Sequence, residues 1–413
     1  MPVFIHVTLR TETPLFLGGA RPQAEWRLSA LKGALRFWYR ALDPQHAGRP
    51  GRAPSREERC FGGTRQGSGQ AAFLLRGDFL TLPGQRVRWE AFPVGRFHEG
   101  EGRQRRNGLA YLGFPFSMRG NEDRDAIPAG TKLPLQLVVL RTPEDPLLRH
   151  ALLGSLWLLG TLGSLGMRSR RGFGALSLMS WRIQGAGPHA RAWEQDLAAL
   201  PLLHEAATPE AWMARLREGL AVLQTSWFAP FQEKDEVARQ RPQPHLGPRW
   251  NAVILRRGFP AEQWPAALNL AGRALQDFRV RRAPDYQDVK DHLSRLRRLV
   301  RAPQRASFGL PLTFRYGSLP PEQNQLELVP AGNLLERRWS QARTSSLDRH
   351  ASPLLLKLVP VGKGLHPLFV RLDGAVPGQF PPAMVRREGQ PLQPGVDLLT
   401  PFLDEMAHKG VRL

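Results

Sequence analysis

Residues 163–174 (GSLGMRSRRGFG) bring four glycines and three arginines together without an acidic residue. An apolar run with helical character precedes this segment at 146–162, and an alternating run with strand character follows it at 175–183. The pattern predicts a loop that joins a helix to a strand. Because glycine permits positive φ angles, such a loop can bring its backbone close to a ligand.

The arginines of this loop, Arg168, Arg170 and Arg171, predict a function for it. Guanidinium groups suit phosphate, and successive backbone N–H groups in such a loop can form an anion-binding concavity. Ser169 lies among them, and Phe173 is the candidate ring for stacking on a base. The functional hypothesis is a loop that holds a nucleic-acid backbone. The alternative is a connector with solvated arginines, since one Gly-rich string is a weak signal.

The residues before and after this loop predict a fold. Residues 1–184 read as strand, helix, strand, long insertion, strand, helix and strand, which is the β-α-β-β-α-β order of ferredoxin-like domains. The corresponding segments are 3–13, 29–42, 71–76, 77–130, 132–141, 146–162 and 175–183. The glycine/arginine loop then lies between the second helix and the fourth strand.

The whole chain is predicted to be α+β, with two ferredoxin-like (RRM-like) domains. The N-terminal domain covers 1–184 and carries the insertion at about 77–130, which we expect to be an extended hairpin with a basic tip. Residues 185–249 are expected to form a linker with some helix, and 250–413 a second, more divergent domain.

A basic stripe follows the first predicted helix. Lys32, Arg36 and Arg40 recur every four residues and therefore share one helix face. Because the helix begins shortly after a Gly-Gly loop, and helix N-termini favour anions, the stripe is a second candidate for RNA phosphate contact. The alternative is an ordinary solvated face.

The charge balance indicates a polyanionic partner. Lys and Arg number 58 against 36 Asp and Glu, which gives a net charge of +22. Nucleic acid or an anionic membrane would fit, but no basic amphipathic helix with a broad apolar face supports the membrane. The single cysteine, Cys60, fits a reducing compartment. Without a signal peptide or a transmembrane run, we expect a cytoplasmic protein.

Motifs for catalysis are missing from the sequence. There is no P-loop, HExxH or GxSxG string, and no pair of carboxylates spaced for two metal ions. We therefore expect no metal site and no cofactor. His6 on the first strand could serve as a general base for RNA cleavage, although such a histidine is more often packed or solvated.

Several strings occur together in one order: PLFLGGA at 14–20, SALKGALRFWYRAL at 29–42, CFGG and GSGQ within 60–70, and GSLGMRSRRGFGAL at 163–176. In this combination the chain resembles the RAMP superfamily of CRISPR proteins. It is most similar to the family that forms the first subunit of the Cmr complex, the type III-B effector. FGLPLTFRY at 308–316 and RHASPLLLKLVP at 349–360 are similar to the C-terminal domain of that family.

The resemblance implies a non-catalytic RNA-binding subunit at one end of an RNA-guided antiviral ribonucleoprotein. Its partners would be the 3′ region of the guide (CRISPR) RNA, the paired target RNA and the other RAMP subunits of the Cmr complex. No position matches the Asp with which the repeated backbone subunit of such complexes cleaves its target. The alternative within the superfamily is a metal-independent endoribonuclease that processes precursor guide RNA, with His6 or another histidine as base.

Overall fold

The fold was obtained as a computed structural model of the chain. The residues that it describes are 2–18, 23–47, 54–64, 67–77, 86–100, 106–118, 124–231, 243–281, 283–331 and 349–413.

The N-terminal half is built around a four-stranded antiparallel sheet in the order β2-β5-β1-β6. In chain order its elements are β1 (Val3–Thr11), α1 (Leu28–Leu42), α2 (Arg56–Phe61), β2 (Phe73–Gly77), β3 (Val87–Arg88), α3 (Gly108–Gly113), β4 (Asp125–Ala126), β5 (Lys132–Val139), α4 (Pro146–Leu162) and β6 (Leu176–Gln184). Apart from the short α2 and the insertion between β2 and β5, this is the predicted β-α-β-β-α-β order.

Alternation along β1 gives the sheet one buried and one open face. Val3, Ile5, Val7 and Leu9 are buried, whereas the residues between them are half-exposed. The buried residues lie in one core with α1 and with α4, which is buried along nearly its whole length. Asp145 caps α4, and Pro146 occupies its first turn, where a missing N–H costs no hydrogen bond.

The insertion at 77–130 is not the extended hairpin that we expected. β3 pairs with β4 over only two residues each, and α3 stands between them. A β-carbon on Gly108 would lie 2.1 Å from the carbonyl oxygen of Asn269, so α3 packs backbone to backbone on a helix of the C-terminal half. The side-chain oxygen of Asn269 also accepts from the Gly108 N–H at 2.8 Å. Residues 78–85, 101–105 and 119–123 of the insertion lie outside the described residues.

The segment expected to be a linker contributes to the core instead. It contains α5 (Gly187–Ala198), α6 (Pro209–Ala221) and a π-helical turn, Val222–Trp227. Trp193 and Trp212 are buried in the same cluster as the N-terminal sheet. Large apolar side chains of this kind are fixed by packing, because their burial removes water-exposed area.

The C-terminal half repeats the topology of the N-terminal sheet. Its elements are β7 (Asn251–Leu255), β8 (Phe259–Pro260), α7 (Trp264–Val280), α8 (Ala283–Leu293), β9 (Leu312–Arg315), β10 (Gln325–Pro330), β11 (Leu354–Val361), β12 (Gly364–Arg371), β13 (Ala383–Val385), α9 (Leu399–Ala407) and β14 (Gly410–Arg412). The main sheet has the order β11-β12-β7-β14, with β8 paired to β12. A smaller sheet has the order β13-β10-β9.

A buried lysine joins the two halves. Lys357 on β11 is 1% exposed, and its Nζ donates to the carbonyl oxygens of Gly160 and Thr161 at 3.0 and 2.9 Å and to that of Leu176. The first two carbonyls belong to the last turn of α4, where the helix itself supplies no N–H partner. Burial lowers the pKa of Lys357 to about 7.

Candidate nucleic-acid interface

The glycine/arginine loop, residues 163–174, connects α4 to β6 as the sequence predicts, and its backbone is fixed on several sides. Gly166, Gly172 and Gly174 have φ angles of 80°, 91° and 62°, values that favour glycine. A β-carbon on Gly174 would lie 2.0 Å from the carbonyl oxygen of Leu165. The hydroxyl of Thr13 donates to the Gly172 carbonyl at 2.7 Å. The glycines are therefore needed for the backbone conformation of the loop, because it requires positive φ angles and leaves no room for a β-carbon at Gly174.

The three arginines of this loop are held by backbone carbonyls from other parts of the chain. Arg168 Nε donates to Leu112 at 2.7 Å. Arg170 donates to Ser352 at 2.8 Å, and Arg171 to Phe308 at 2.7 Å. Within the described part of the chain, none of the three forms an ion pair. The arginines are thus oriented without being neutralised.

Burial lowers the pKa values of these guanidinium groups. It lowers the pKa of Arg168 and of Arg170, and it lowers the pKa of Arg171 to about 10. The nearby Arg279 guanidinium lowers the pKa of Arg168 and Arg171 further. At neutral pH all of them still carry their charge. Like charges held together in a partly buried place repel one another, and a bound anion would relieve that repulsion.

An open cleft of about 570 Å³ lies at these side chains. One wall is the glycine/arginine loop, and the other consists of residues 308–313 and 349–354 from the C-terminal half. We call it the arginine cleft, since five arginines line it: Arg168, Arg170, Arg171, Arg279 and Arg349. No Asp or Glu is found among its described lining residues. It suits a ligand that carries several negative charges.

The sequence did not identify two arginines of the cleft as binding candidates, Arg279 and Arg349. Arg279 lies over the rings of Tyr111 and Phe308, 5.8 and 5.4 Å from their centroids, and its Nε is buried without a hydrogen-bond partner. Arg349 is exposed. The density of basic residues after position 278 is a visible signal in the sequence, but it does not single out Arg279. Only tertiary packing brings both arginines to the loop.

His350 also lines the arginine cleft, and it is not a suitable general acid. Burial lowers its pKa to about 4, with a smaller contribution from the charge of Arg170. The ring is therefore neutral at physiological pH.

Two arginines of the basic stripe of α1 form ion pairs within the chain. Arg36 and Arg40 both bind the carboxylate of Glu57, with closest distances of 2.6 Å. Burial alone would raise the pKa of Glu57, but the hydrogen bonds from Arg40 and Arg36 lower it overall. Lys32 lies 5.9 Å from the centroid of the Phe73 ring, and burial lowers its pKa. The stripe is largely an intramolecular ion-pair network on α2, and it does not line the arginine cleft.

The prediction that Phe173 stacks on a base is wrong. The ring is fully buried, and it packs edge-on at 5.0 Å from Phe116 in a cluster that includes Phe16 and Trp89. This aromatic side chain anchors the glycine-rich loop to the core, because burial of its large apolar ring stabilises the folded state.

Ser169 and Arg170 connect the arginine cleft to a smaller hollow of about 250 Å³. The half-buried ring of Phe37 lines this hollow, and the Arg170 guanidinium lies 5.7 Å from its centroid. The hollow therefore extends from the loop toward α1.

The candidates for catalysis, His6 and Cys60, do not line the arginine cleft. His6 Nε2 lies 2.6 Å from Gln184 Oε1 on the neighbouring strand, and it does not line the arginine cleft. Burial raises the pKa of the Cys60 thiol to about 12, so it is a poor nucleophile. Among the described residues, no three His, Cys, Asp or Glu side chains are grouped as metal ligands. None of the described helices combines the length and apolarity needed to cross a membrane.

Comparison with known proteins supports the resemblance that the N-terminal sequence motifs indicated. Residues 8–177 match the model of the RAMP superfamily, so the predicted resemblance is confirmed for this part of the chain. A Cmr subunit, Cmr1-1, from Pyrococcus furiosus is 29% identical over 175 residues, which are 41% of this chain and 45% of that protein. The match thus spans less than half the length of the relative.

The fold is similar to that of solved structures. The crystal structure of Cmr1 from Pyrococcus furiosus, in its apo form, matches 99% of this chain and 98% of its own with a TM-score of 0.53 and 15% identity. A chain in the cryo-EM structure of the type III-B Cmr-beta complex bound to cognate target RNA has a TM-score of 0.49 and 11% identity over 99% of both chains. At 15% identity, the likeness to the Cmr1 crystal structure is one of fold alone.

Proposed function

We propose that this chain, whose residues 8–177 match the RAMP superfamily, is a non-catalytic RNA-binding subunit of a cytoplasmic type III-B (Cmr) RNA-guided effector complex. It would lie at one end of the complex, contact the 3′ region of the guide RNA and the paired target RNA, and pack against other RAMP subunits. The observation that carries the proposal is the arginine cleft, with five arginines and no carboxylate among its described lining residues. The partial match to a Cmr subunit supports it.

The chemistry of the arginine cleft favours recognition of the RNA backbone. Guanidinium groups form paired hydrogen bonds with phosphate oxygens, and phosphate contacts fix position without reading sequence. In RNA-guided complexes, sequence is read by base pairing between guide and target. A cleft that is rich in arginine and poor in exposed aromatic rings therefore suits a subunit that binds the RNA backbone and leaves sequence recognition to base pairing.

We also propose that both halves are ferredoxin-like domains, over 1–184 and 250–413, and that RNA binding needs both. Their main sheets share the same strand order, with the first strand of each half next to the last. The arginine cleft takes one wall from each half. A fragment that ends near residue 184 would lack Arg279 and Arg349 and should hold RNA poorly.

Binding of single-stranded RNA to the full chain should weaken steeply with salt. Each phosphate that an arginine contacts contributes about 0.7 to the slope of log K against log salt concentration for a single strand, so three to five contacts give a slope between about −2 and −3.5. Fluorescence anisotropy with a labelled oligonucleotide over a salt series measures it. Affinity that does not change with salt would contradict recognition of the backbone.

The purified chain should not cleave RNA by itself. We expect a repeat-containing RNA to remain intact in EDTA, because His6 is hydrogen-bonded to an amide outside the arginine cleft and His350, whose pKa burial lowers to about 4, is a weak base. Gel electrophoresis over time provides the measurement. Specific cleavage that disappears on a single substitution, such as His6→Ala, would instead support the endoribonuclease alternative.

A further inference from the structure

We propose that the open face of the N-terminal sheet is a second RNA-binding surface, across which a single strand of RNA lies perpendicular to the β-strands. We call it the sheet face; it is the side of β1, β2, β5 and β6 turned away from the core formed with α1 and α4. It is separate from the arginine cleft, and the proposal goes beyond the function suggested above. Four observations carry it.

First, a row of polar side chains crosses the whole sheet in register. His6 on β1 is paired with Arg182 on β6 and with Gln136 on β5, and Gln136 is paired with Arg76 on β2. Neighbouring strands lie about 4.8 Å apart, so the row extends over about 14 Å. It has an arginine at each end.

Second, the charge of the sheet face has one sign. The four strands contain four basic residues and neither Asp nor Glu. Arg10, Arg76, Lys132 and Arg182 all point to the same side, since each alternates with residues of the opposite face. Arg10 is paired with Glu12 at 2.9 Å. The other three form no ion pair within the described part of the chain, and they are exposed.

Third, the centre of the row offers hydrogen bonds. His6 Nε2 lies 2.6 Å from Gln184 Oε1, and Gln136 Nε2 lies 3.5 Å from His6 Nε2. Imidazole and amide groups can donate to phosphate and exchange hydrogen bonds with ribose hydroxyls. RNA binding would give a use to His6 and Gln136, which lie on the two central strands of the sheet.

Fourth, the apolar side chains of the sheet face form a single short row next to the polar one. Leu74, 47% exposed, is paired with Val138, which is 4% exposed, and Val138 is paired with the half-buried Phe4. Protein partners usually bury an apolar core with a polar rim. A surface with arginines at both ends of a polar row and no carboxylate on its strands fits a polyanion instead.

The test uses the full chain and a labelled, unstructured oligouridine. The variant Arg76→Ser/Arg182→Ser removes both ends of the row. The control Arg191→Ser/Arg387→Ser removes two exposed arginines from elsewhere, neither of which forms an ion pair within the described part of the chain. We expect the first variant to lose affinity about tenfold, and its salt slope to become shallower by about 1.4, which corresponds to two phosphates. The control should change affinity less than twofold. Cross-linking with ultraviolet light should also attach RNA to peptides of β1 and β6.

Two results would overturn the proposal. One is an affinity and salt slope equal to those of the control, with cross-links confined to peptides of the arginine cleft. The other is unchanged RNA binding with loss of a protein partner during co-purification, which would identify the sheet face as a protein-docking surface. Because Arg349→Ser affects only the arginine cleft, failure of the sheet face and failure of the proposed cleft are distinguishable.

Discussion

Replacing Arg168, Arg170 and Arg171 together with alanine should lower the affinity of the full chain for single-stranded RNA by at least about a hundredfold. Hydrogen bonds to charged groups are worth about 1.5 to 3 kcal/mol each, and about 1.4 kcal/mol corresponds to a factor of ten. The three guanidinium groups supply most of the uncompensated charge of the arginine cleft. Anisotropy titration at fixed salt provides the comparison with the wild-type chain.

The triple variant also loses three hydrogen bonds to carbonyls, so its folding must be measured alongside. Arg349→Glu is the matched test, because Arg349 is exposed and its side chain forms no hydrogen bond with the residues that the structure describes. It reverses one charge of the same cleft, and we expect about a tenfold loss of affinity with an unchanged Tm. A folded triple variant that binds RNA as the wild type does would show that the loop does not hold RNA.

Lys357→Met should destabilise the chain by about 3 kcal/mol. The substitution keeps the apolar length of the side chain but leaves the carbonyls of Gly160, Thr161 and Leu176 without the Nζ donor. An unsatisfied buried acceptor costs about 1 to 3 kcal/mol, and the helix-end carbonyls have no alternative partner in α4. Thermal unfolding should give a clearly lower Tm, whereas Lys363→Met, on the exposed turn between β11 and β12, should leave Tm nearly unchanged.

The same lysine predicts a pH dependence of stability. In the unfolded chain a lysine has a pKa of 10.5, while burial lowers that of folded Lys357 to about 7. Between these values the unfolded state binds the extra proton, so the contribution of Lys357 makes the folded state more stable as pH rises from about 7 toward 10.5. This contribution should be missing in Lys357→Met. Equal pH profiles for the variant and the wild-type chain would mean that Lys357 titrates normally.

The arginine cleft was predictable only in part. Glycines and arginines that are consecutive in sequence identify the loop and its affinity for anions, because both properties belong to the residues themselves. The opposite wall comes from residues 308–313 and 349–354, more than a hundred positions away. No local periodicity relates them to the loop. The Leu356 N–H on β11 donates to the Arg170 carbonyl and so joins the two walls, while Arg279 reaches the cleft from α7, over the rings of Tyr111 and Phe308.

Local patterns also mislead where a side chain has two physically reasonable uses. Phe173 could stack on a base or pack in a core, and in the structure it packs against three other aromatic rings. Arg36 and Arg40 could bind phosphate or a carboxylate, and in the structure both form ion pairs with Glu57 on the neighbouring α2. In both cases the partner lies on another element, and composition cannot reveal it.

The amino-acid sequence by itself determined the strand and helix order of the N-terminal half, the glycine-dependent loop after α4 and the large positive charge. These follow from alternation, helical spacing, glycine and side-chain chemistry, which act over a few residues. Tertiary structure alone decided which arginines share a cleft, which are neutralised, and that the row from Arg76 to Arg182 crosses an open sheet. Those outcomes depend on register and on packing between distant segments, because the energy of a charge depends on what surrounds it.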